Sequence, residues 1–133
     1  MLKIMQQENK ILLSLIEGST LTNAQVDTLL CEIEGKGAAK QLKERAAMRD
    51  KENITLGAYS RTRKQAYMRI RKVLKTVLLL SYLGIFSQDG LNTLVKAAEL
   101  ISRVKTANLT DEDIIKLNKL IDETLSNLIV ISQ

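Results

Sequence analysis

Apolar residues recur every three or four positions along most of the chain, which is the spacing of one face of an α-helix. The clearest run is Ile114, Leu117, Ile121, Leu125 and Leu128, which stays in register over about four turns. Polar residues fill the positions between them. The pattern predicts an amphipathic helix in this stretch and an all-α fold for the whole chain.

Start and stop signals divide the pattern into separate helices. Gly18 ends a first helix, and Thr22 is among the N-cap candidates of a second. Thr110 followed by Asp113 resembles a capping box that opens the last helix. Predicted helices cover residues 2–17, about 38–49, 54 to about 86 and 91–104. A second helix begins after Ser19, Thr20 or Thr22 and ends at Gly35 and Gly37, and the last helix begins at Thr110 and carries the stripe from Ile114 to Leu128, which Ile131 widens. The segment 54–86 can form one long helix or two in near continuity.

The apolar stripes predict which side of each helix is buried. Cys31 lies in an apolar run and is expected to be a small core residue. The expected inward positions are Leu21, Val26, Leu29, Leu30 and Ile33 in the second helix, Ala58, Ala66, Ile70, Val73 and Val77 in the long segment, and Leu94, Val95, Ala98 and Ile101 after it.

The composition agrees with helices and excludes several kinds of chemistry. The chain has 133 residues, no proline, six glycines and 3% aromatic residues, which is too few turn formers for a β-sandwich or barrel. It has no histidine and one cysteine, which excludes Cys/His zinc sites and histidine-based catalysis. Asp111–Asp113 is better explained as a helix start than as an acid–base pair. We therefore expect neither an enzyme nor a cofactor or small-molecule substrate.

Two features predict a cytoplasmic protein that does not enter membranes. The first ten residues are too polar for a signal peptide. The longest uncharged apolar stretch, Thr76–Ser87, has 12 residues, whereas a helix needs about 20 to cross a bilayer.

Charge is concentrated in the middle of the chain. The net charge is +5, but residues 36–75 hold thirteen basic and three acidic residues, a net charge of +10, and the remainder is −5. Such an excess is a candidate footprint for a polyanion. The alternative is a basic surface that only keeps the protein soluble.

Residues 21–75 contain the parts that a helix-turn-helix needs: a supporting helix, a first helix and a recognition helix surrounded by cations. The corresponding segments are LTNAQVDTLL, GKGAAKQLKERAAM and ITLGAYSRTRKQAYMRIRKV. This stretch resembles sigma-factor region 4 and LuxR-type regulators, and it is similar to archaeal Tfx-type regulators. The matching residues are Leu21, Thr22, Gln25, Gly35, Lys36, Ile54, Thr55, Gly57, Ala58, Tyr59, Ala66 and Ile70.

The resemblance covers about 55 residues of the chain and departs from the family pattern in two places. The stretch from Gly35 to Ile54 is several residues longer than usual, with the extra residues placed at Lys51–Asn53 or in the helix before them. The chain also continues past Lys75 into further helices. The resemblance implies an archaeal or mobile-element origin.

The expected contacts follow from a recognition helix whose early residues read bases. Tyr59, Thr62 and Ala66 would face inward, and we expect Tyr67 to pack in the core as well; the alternative is that the tyrosines stack on single-stranded bases. The expected base contacts are Thr55, Ser60, Arg61 and Lys64. The expected phosphate contacts are Lys36, Lys40, Lys43, Arg49, Arg63, Arg69, Arg71 and Lys72.

The flanking helices predict an oligomer, because a helix-turn-helix does not need them and such proteins commonly dimerise. We divide the chain into an N-terminal helix (1–20), a helix-turn-helix region (21–76) and a C-terminal helical hairpin (77–133) for packing or dimerisation. The expected dimer residues are Val77, Leu80, Leu83, Leu117, Ile121, Leu125 and Leu128. The alternative is that both stripes are intramolecular core.

Together these observations predict a sequence-specific double-stranded DNA-binding protein, a nucleoid-associated transcription regulator that acts as a homodimer. Two alternatives remain open: a helical adaptor whose basic helix meets an acidic partner, and a protein that binds RNA or an anionic membrane surface.

Overall fold

The computed structural model describes residues 1–87, 89–105 and 108–130, and these residues are helical apart from turns and one isolated antiparallel bridge, Phe86–Ile129. The all-α prediction is confirmed. The helices are α1 (Leu2–Glu8), α2 (Lys10–Glu17), α3 (Asn23–Gly37), α4 (Leu42–Ala47), α5 (Leu56–Tyr82), α6 (Gly90–Val104) and α7 (Asp111–Leu128). The chain forms two compact units, Met1–Val73 and Leu74–Gln133, which we call unit 1 and unit 2. None of the described helices is both long and apolar enough to cross a membrane.

The predicted first helix is two helices, because the backbone leaves the helical region at Asn9 (φ −137°, ψ 92°). The Asn9 N–H still donates to the Met5 carbonyl at 2.8 Å, and its own carbonyl accepts from Leu12. Asparagine is a weak helix former because its side chain competes for backbone hydrogen bonds. A single stripe of apolar residues therefore runs over two short helices, α1 and α2.

The α3 helix begins after Thr22, one of the predicted N-cap residues, and ends at Gly37, one of the two glycines predicted to mark its end. Thr22 and Gln25 form a complete capping box, with hydrogen bonds of 3.2 and 3.1 Å. At the other end Ala39 adopts a left-handed conformation (φ 55°), and the Lys40 N–H donates to the Gly35 carbonyl at 2.8 Å. This is a Schellman-type end with alanine where glycine is usual. Gly35 and Gly37 consequently lie inside α3, and α4 has six residues where twelve were predicted.

The long segment is one continuous helix of 27 residues. The buried face of this helix is rotated about the helix axis relative to the predicted face. Tyr59 and Ala66 are fully buried and Ile70 is half-buried, whereas Ala58 and Val73, which were predicted to be buried, are exposed. The large aromatic ring of Tyr59 fills the core between the helices, so the helix is oriented by this residue.

The core of unit 1 is small and contains charged side chains. Cys31, Ala46 and Tyr59 form its apolar centre, which confirms the expected burial of Cys31 and Tyr59. The predicted apolar stripe of α3 is not its most buried face, since Ile33 is 68% exposed. The buried polar side chains on α3 are Gln25, Asp27, Thr28 and Glu32.

Unit 2 is built on the contact between α6 and α7. The bridge at Phe86 is held by hydrogen bonds from the Ser87 N–H to the Leu128 carbonyl (2.8 Å) and from the Val130 N–H to the Ile85 carbonyl (2.6 Å). The predicted capping box of Thr110 and Asp113 is confirmed. On α6, Leu94, Ala97 and Ile101 are half-buried, whereas the predicted inward residues Val95 and Ala98 are exposed.

Candidate nucleic-acid interface

The basic part of α5 faces solvent on the side away from its buried residues. Arg61, Lys64, Arg71 and Lys72, which we call the outer stripe, are exposed and lie roughly opposite Tyr59 on the helix. They extend along about 16 Å of the helix axis, at 1.5 Å per residue. The outer stripe therefore presents cations along a straight, rigid support.

The outer stripe has little internal charge compensation. α5 contains seven basic residues and no acidic residue, and like charges three or four positions apart on a helix repel each other. Within the described residues, Arg61, Lys64 and Arg71 form no ion pair. These charges are available for a ligand outside the chain.

A buried carboxylate joins α3, α4 and α5 beneath this surface. Glu32 accepts a hydrogen bond from the Tyr59 hydroxyl at 2.8 Å and from the Arg45 guanidinium at 2.6 Å. The Tyr67 hydroxyl lies 3.5 Å away, and Lys36 and Arg63 lie at 3.5 and 3.7 Å. We call these residues the Glu32 cluster. Because one carboxylate binds side chains from two further helices, the cluster fixes the orientation of α5 against α3.

The electrostatics of the Glu32 cluster favour its ionised form. Burial by itself raises the pKa of Glu32, but the Tyr59 hydrogen bond and the Arg45, Arg63 and Lys36 charges outweigh it, so the pKa lies below its usual value. Burial and the adjacent carboxylate raise the pKa of Tyr59 far above its usual value, so its hydroxyl stays protonated as a donor.

A second buried carboxylate holds the segment after α4. Asp27 accepts hydrogen bonds from Arg49 Nε at 2.7 Å, from the Asp50 N–H at 2.8 Å and from the Leu2 N–H at 3.1 Å. Arg49 also donates to the Thr28 hydroxyl at 2.9 Å. Burial by itself raises the pKa of Asp27, but these hydrogen bonds have the larger effect, so the pKa lies below its usual value.

This pairing removes Arg49 from the predicted phosphate contacts. Its side chain is only 6% exposed and its guanidinium is bound to Asp27. A phosphate contact needs a cation that reaches solvent. Arg49 is a core residue whose positive charge balances a buried carboxylate.

The other predicted phosphate contacts are exposed to different degrees. Lys43, Arg71 and Lys72 are exposed, and Lys40 lies with its ammonium 3.8 Å from the Met48 sulfur. Lys36 is exposed although it lies near Glu32, and Arg63 is one-third exposed and lies over the Tyr67 ring at 6.0 Å. Arg69 is exposed, but its guanidinium donates to the Thr20 carbonyl at 2.5 Å.

The predicted base contacts do not form one cluster. Arg61 and Lys64 lie one turn apart on the outer stripe, and Ser60 is half-buried beside it. Thr55 lies at the start of α5, where its hydroxyl accepts the Ala58 N–H at 3.1 Å and so serves the helix itself. Tyr67, which we expected in the core, is 37% exposed.

The connection between α4 and α5 is longer than the turn of a typical helix-turn-helix. It runs over residues 48–55 and includes Asn53 in a left-handed conformation (φ 59°), whereas the usual turn has three or four residues. The extra length noted in the sequence lies in this loop. The candidate interface is therefore defined by α5 and its exposed cations.

The predicted dimer residues fall on different sides of unit 2. Leu128 is buried inside the unit and is withdrawn as a surface contact. Leu83 and Leu125 are exposed by 58% and 41%. The half-buried ones are Val77, Leu80, Leu117 and Ile121.

Sequence reasoning missed the two buried carboxylates. A signal was present: Asp27 and Glu32 lie on one side of α3 with Thr28, and Arg45 and Arg49 are one turn apart at and just after α4. Two acids on one side of a helix, followed by two arginines one turn apart in the next segment, are compatible with paired buried charges.

Comparisons of the chain with protein-family models, with curated proteins and with solved structures found no match.

Proposed function

We propose that the protein binds double-stranded DNA through the outer stripe of α5 and acts as a sequence-specific transcription regulator. The observation that carries the proposal is that α5 has seven basic residues and no acidic residue, and that its outer stripe is exposed. Like-charge repulsion along α5 is relieved by a polyanion.

A duplex suits this surface because its major groove admits an α-helix. Arg61 is the best candidate for a bidentate contact with guanine, and Lys64 for a second base contact. Arg71, Lys72, Lys43 and Lys40 are assigned to phosphates, which fix the register without reading sequence. The Glu32 cluster supports this role, since a helix held by buried hydrogen bonds keeps its contacts in fixed positions.

The test is a titration with random-sequence duplex DNA at several salt concentrations between about 50 and 200 mM. The variant Arg61→Ala/Lys64→Ala/Arg71→Ala is compared with a control, Lys96→Ala/Arg103→Ala/Lys119→Ala, which removes three exposed cations from unit 2. We expect wild type and control to share a steep salt dependence. The α5 variant should lose about one unit of the log–log slope, for the phosphate contact of Arg71, and should bind more weakly than the control at each salt concentration.

Selection from the random pool and competition with duplex RNA complete the test. Enrichment of a defined DNA site by wild type but not by the α5 variant would support sequence-specific reading. Equal binding of duplex RNA would replace the DNA proposal with shape-based RNA recognition. Absence of binding by folded wild-type protein at low salt would overturn the proposal.

A further inference from the structure

Unit 2 buries very little apolar surface. Among its described residues, Leu128 is the one large side chain that is fully buried. Small folding units are marginally stable even with a normal core. Most of the other apolar side chains of unit 2 are half-buried or exposed, and the exposed ones show where a partner could bury further apolar surface.

The largest group of exposed apolar residues is on the C-terminal part of α5 and the residue after it. Leu74, Leu78, Leu79, Tyr82 and Leu83, which we call the leucine patch, are 58%, 67%, 55%, 89% and 58% exposed. They occupy about half of the helix circumference at 100° per residue. A monomer seldom exposes a contiguous apolar patch of more than a few hundred Å².

We propose that a second copy of this chain covers the leucine patch, with the two helices antiparallel and the two-fold axis between Leu78 and Leu79. In this register Leu78 meets Leu78 of the second copy on one side of the interface, Leu79 meets Leu79 on the other side, and Leu74 and Leu83 lie at the two edges of the patch. Lys75, the only charged residue between Leu74 and Leu83, meets the ring of Tyr82. An ammonium group over an aromatic face is a favourable contact.

The self-complementary order of residues favours a second copy over another occupant. A two-fold interface requires that one patch match itself, and the leucine patch does so because leucine meets leucine on both sides of the axis and the one cation of the segment meets an aromatic ring. Five large side chains, each more than half exposed, offer on the order of several hundred Å² per copy, approaching the ~800 Å² of a standard interface.

This interface differs from the one expected from the sequence. Val77 and Leu80 are half-buried on the opposite side of α5, where they contribute to the interior. Leu83 is common to both interfaces. The inference does not depend on nucleic-acid binding and is tested without any nucleic acid.

Sedimentation equilibrium over a range of protein concentrations gives the first test. Wild type should approach twice the chain mass of 14.9 kDa. Leu78→Lys should weaken association about thirty-fold or more, the size expected for a central interface residue. The control is Val95→Lys on α6, because Val95 is also 58% exposed and lies outside the patch; it should associate as wild type does.

A spin label at Met68→Cys tests the antiparallel register. Met68 is half exposed, whereas Cys31 is buried and stays unlabelled in folded protein. The two labelled positions should lie about 32 Å apart along antiparallel helices, but about 10 Å apart in a parallel pair.

Each other outcome overturns the proposal. A short distance rejects the antiparallel register, and a monomeric mass at all concentrations rejects the second copy. Loss of association in Val95→Lys but not in Leu78→Lys moves the interface to α6. Binding of monomeric wild type to anionic phospholipid vesicles, abolished by Leu78→Lys, makes a membrane surface the occupant.

Discussion

Units 1 and 2 are both built from amphipathic helices but differ in the polarity of the side chains that they bury. Unit 1 buries two carboxylates, Asp27 and Glu32, while Ile33 on the same helix is two-thirds exposed. Unit 2 leaves the leucine patch exposed and buries a single large apolar side chain among its described residues. Buried charges are stable only when they are fully paired, and the partners in unit 1 all belong to that unit. The buried charges of unit 1 are paired within one chain, whereas unit 2 leaves apolar surface exposed, which we propose a second copy covers.

The difference does not arise from the local signals that start helices. A capping box with the same geometry opens α3 in unit 1 and α7 in unit 2. What separates the units is the tertiary partner of each helix. Changes to buried charges should therefore affect unit 1 strongly, and changes to caps should affect both units alike.

The largest effect is expected from acid. The pKa values of Asp27 and Glu32 lie below their ordinary values of 3.8 and 4.5. Their stabilising contribution is complete above those ordinary values and is lost as the pH falls through the lowered ones, because the unfolded chain then binds more protons. Urea unfolding of unit 1, followed by Cys31 accessibility from neutral pH to about pH 3, should show a steep loss. A flat profile would contradict the paired-carboxylate description.

The next largest effect is expected for Glu32→Ala. The change leaves Arg45 and the Tyr59 hydroxyl buried without their acceptor, which should lower the free energy of unfolding by about 3–5 kcal/mol. Glu34→Ala is the matched control, since Glu34 is exposed on the same helix, and it should change stability by less than about 0.5 kcal/mol. Equal effects in urea denaturation would show that the Glu32 cluster contributes nothing special.

A smaller effect is expected for Gly35→Ala. A Cβ atom at Gly35 would overlap the side chain of Arg45, whereas one at Gly37 meets nothing within 4 Å. Displacing Arg45 from Glu32 should cost about 1–3 kcal/mol, as overpacking usually does. Gly37→Ala should leave the unfolding free energy unchanged or slightly raised, since alanine is the better helix former. Similar losses in the two variants would argue against close packing of α3 on Arg45.

The smallest effect is expected from the capping boxes. Thr22→Ala removes the side chain that accepts the Gln25 N–H, and it should cost about 1 kcal/mol. Thr110→Ala should weaken α7 in the same way, as measured by loss of helical circular dichroism on heating. A much larger effect in one unit would show that its cap also has a tertiary role.

The number and approximate bounds of the long helices could be predicted from the sequence, because periodicity and capping are local. The orientation of α3 could not, because Glu32 is stabilised inside by Arg45 and Tyr59, which lie 13 and 27 positions further along the chain. The residue that turns the chain after α3 could not be predicted either, since Ala39 occupies a left-handed position that usually indicates glycine. The exposed cations of α5 were predicted because an uncompensated charge rarely lies inside.

Because Cys31 is buried, its reactivity toward thiol reagents reports the opening of unit 1. Its side chain is fully enclosed, and burial raises the pKa of its thiol to about 11, so that little reactive thiolate forms at neutral pH. It is the only cysteine in the chain. A thiol reagent added to native protein can react only when α3 separates from its neighbours. The rate of that reaction therefore reports the opening of unit 1: the open fraction when closing is faster than labelling, and the opening rate when labelling is faster. It does not depend on the opening of unit 2.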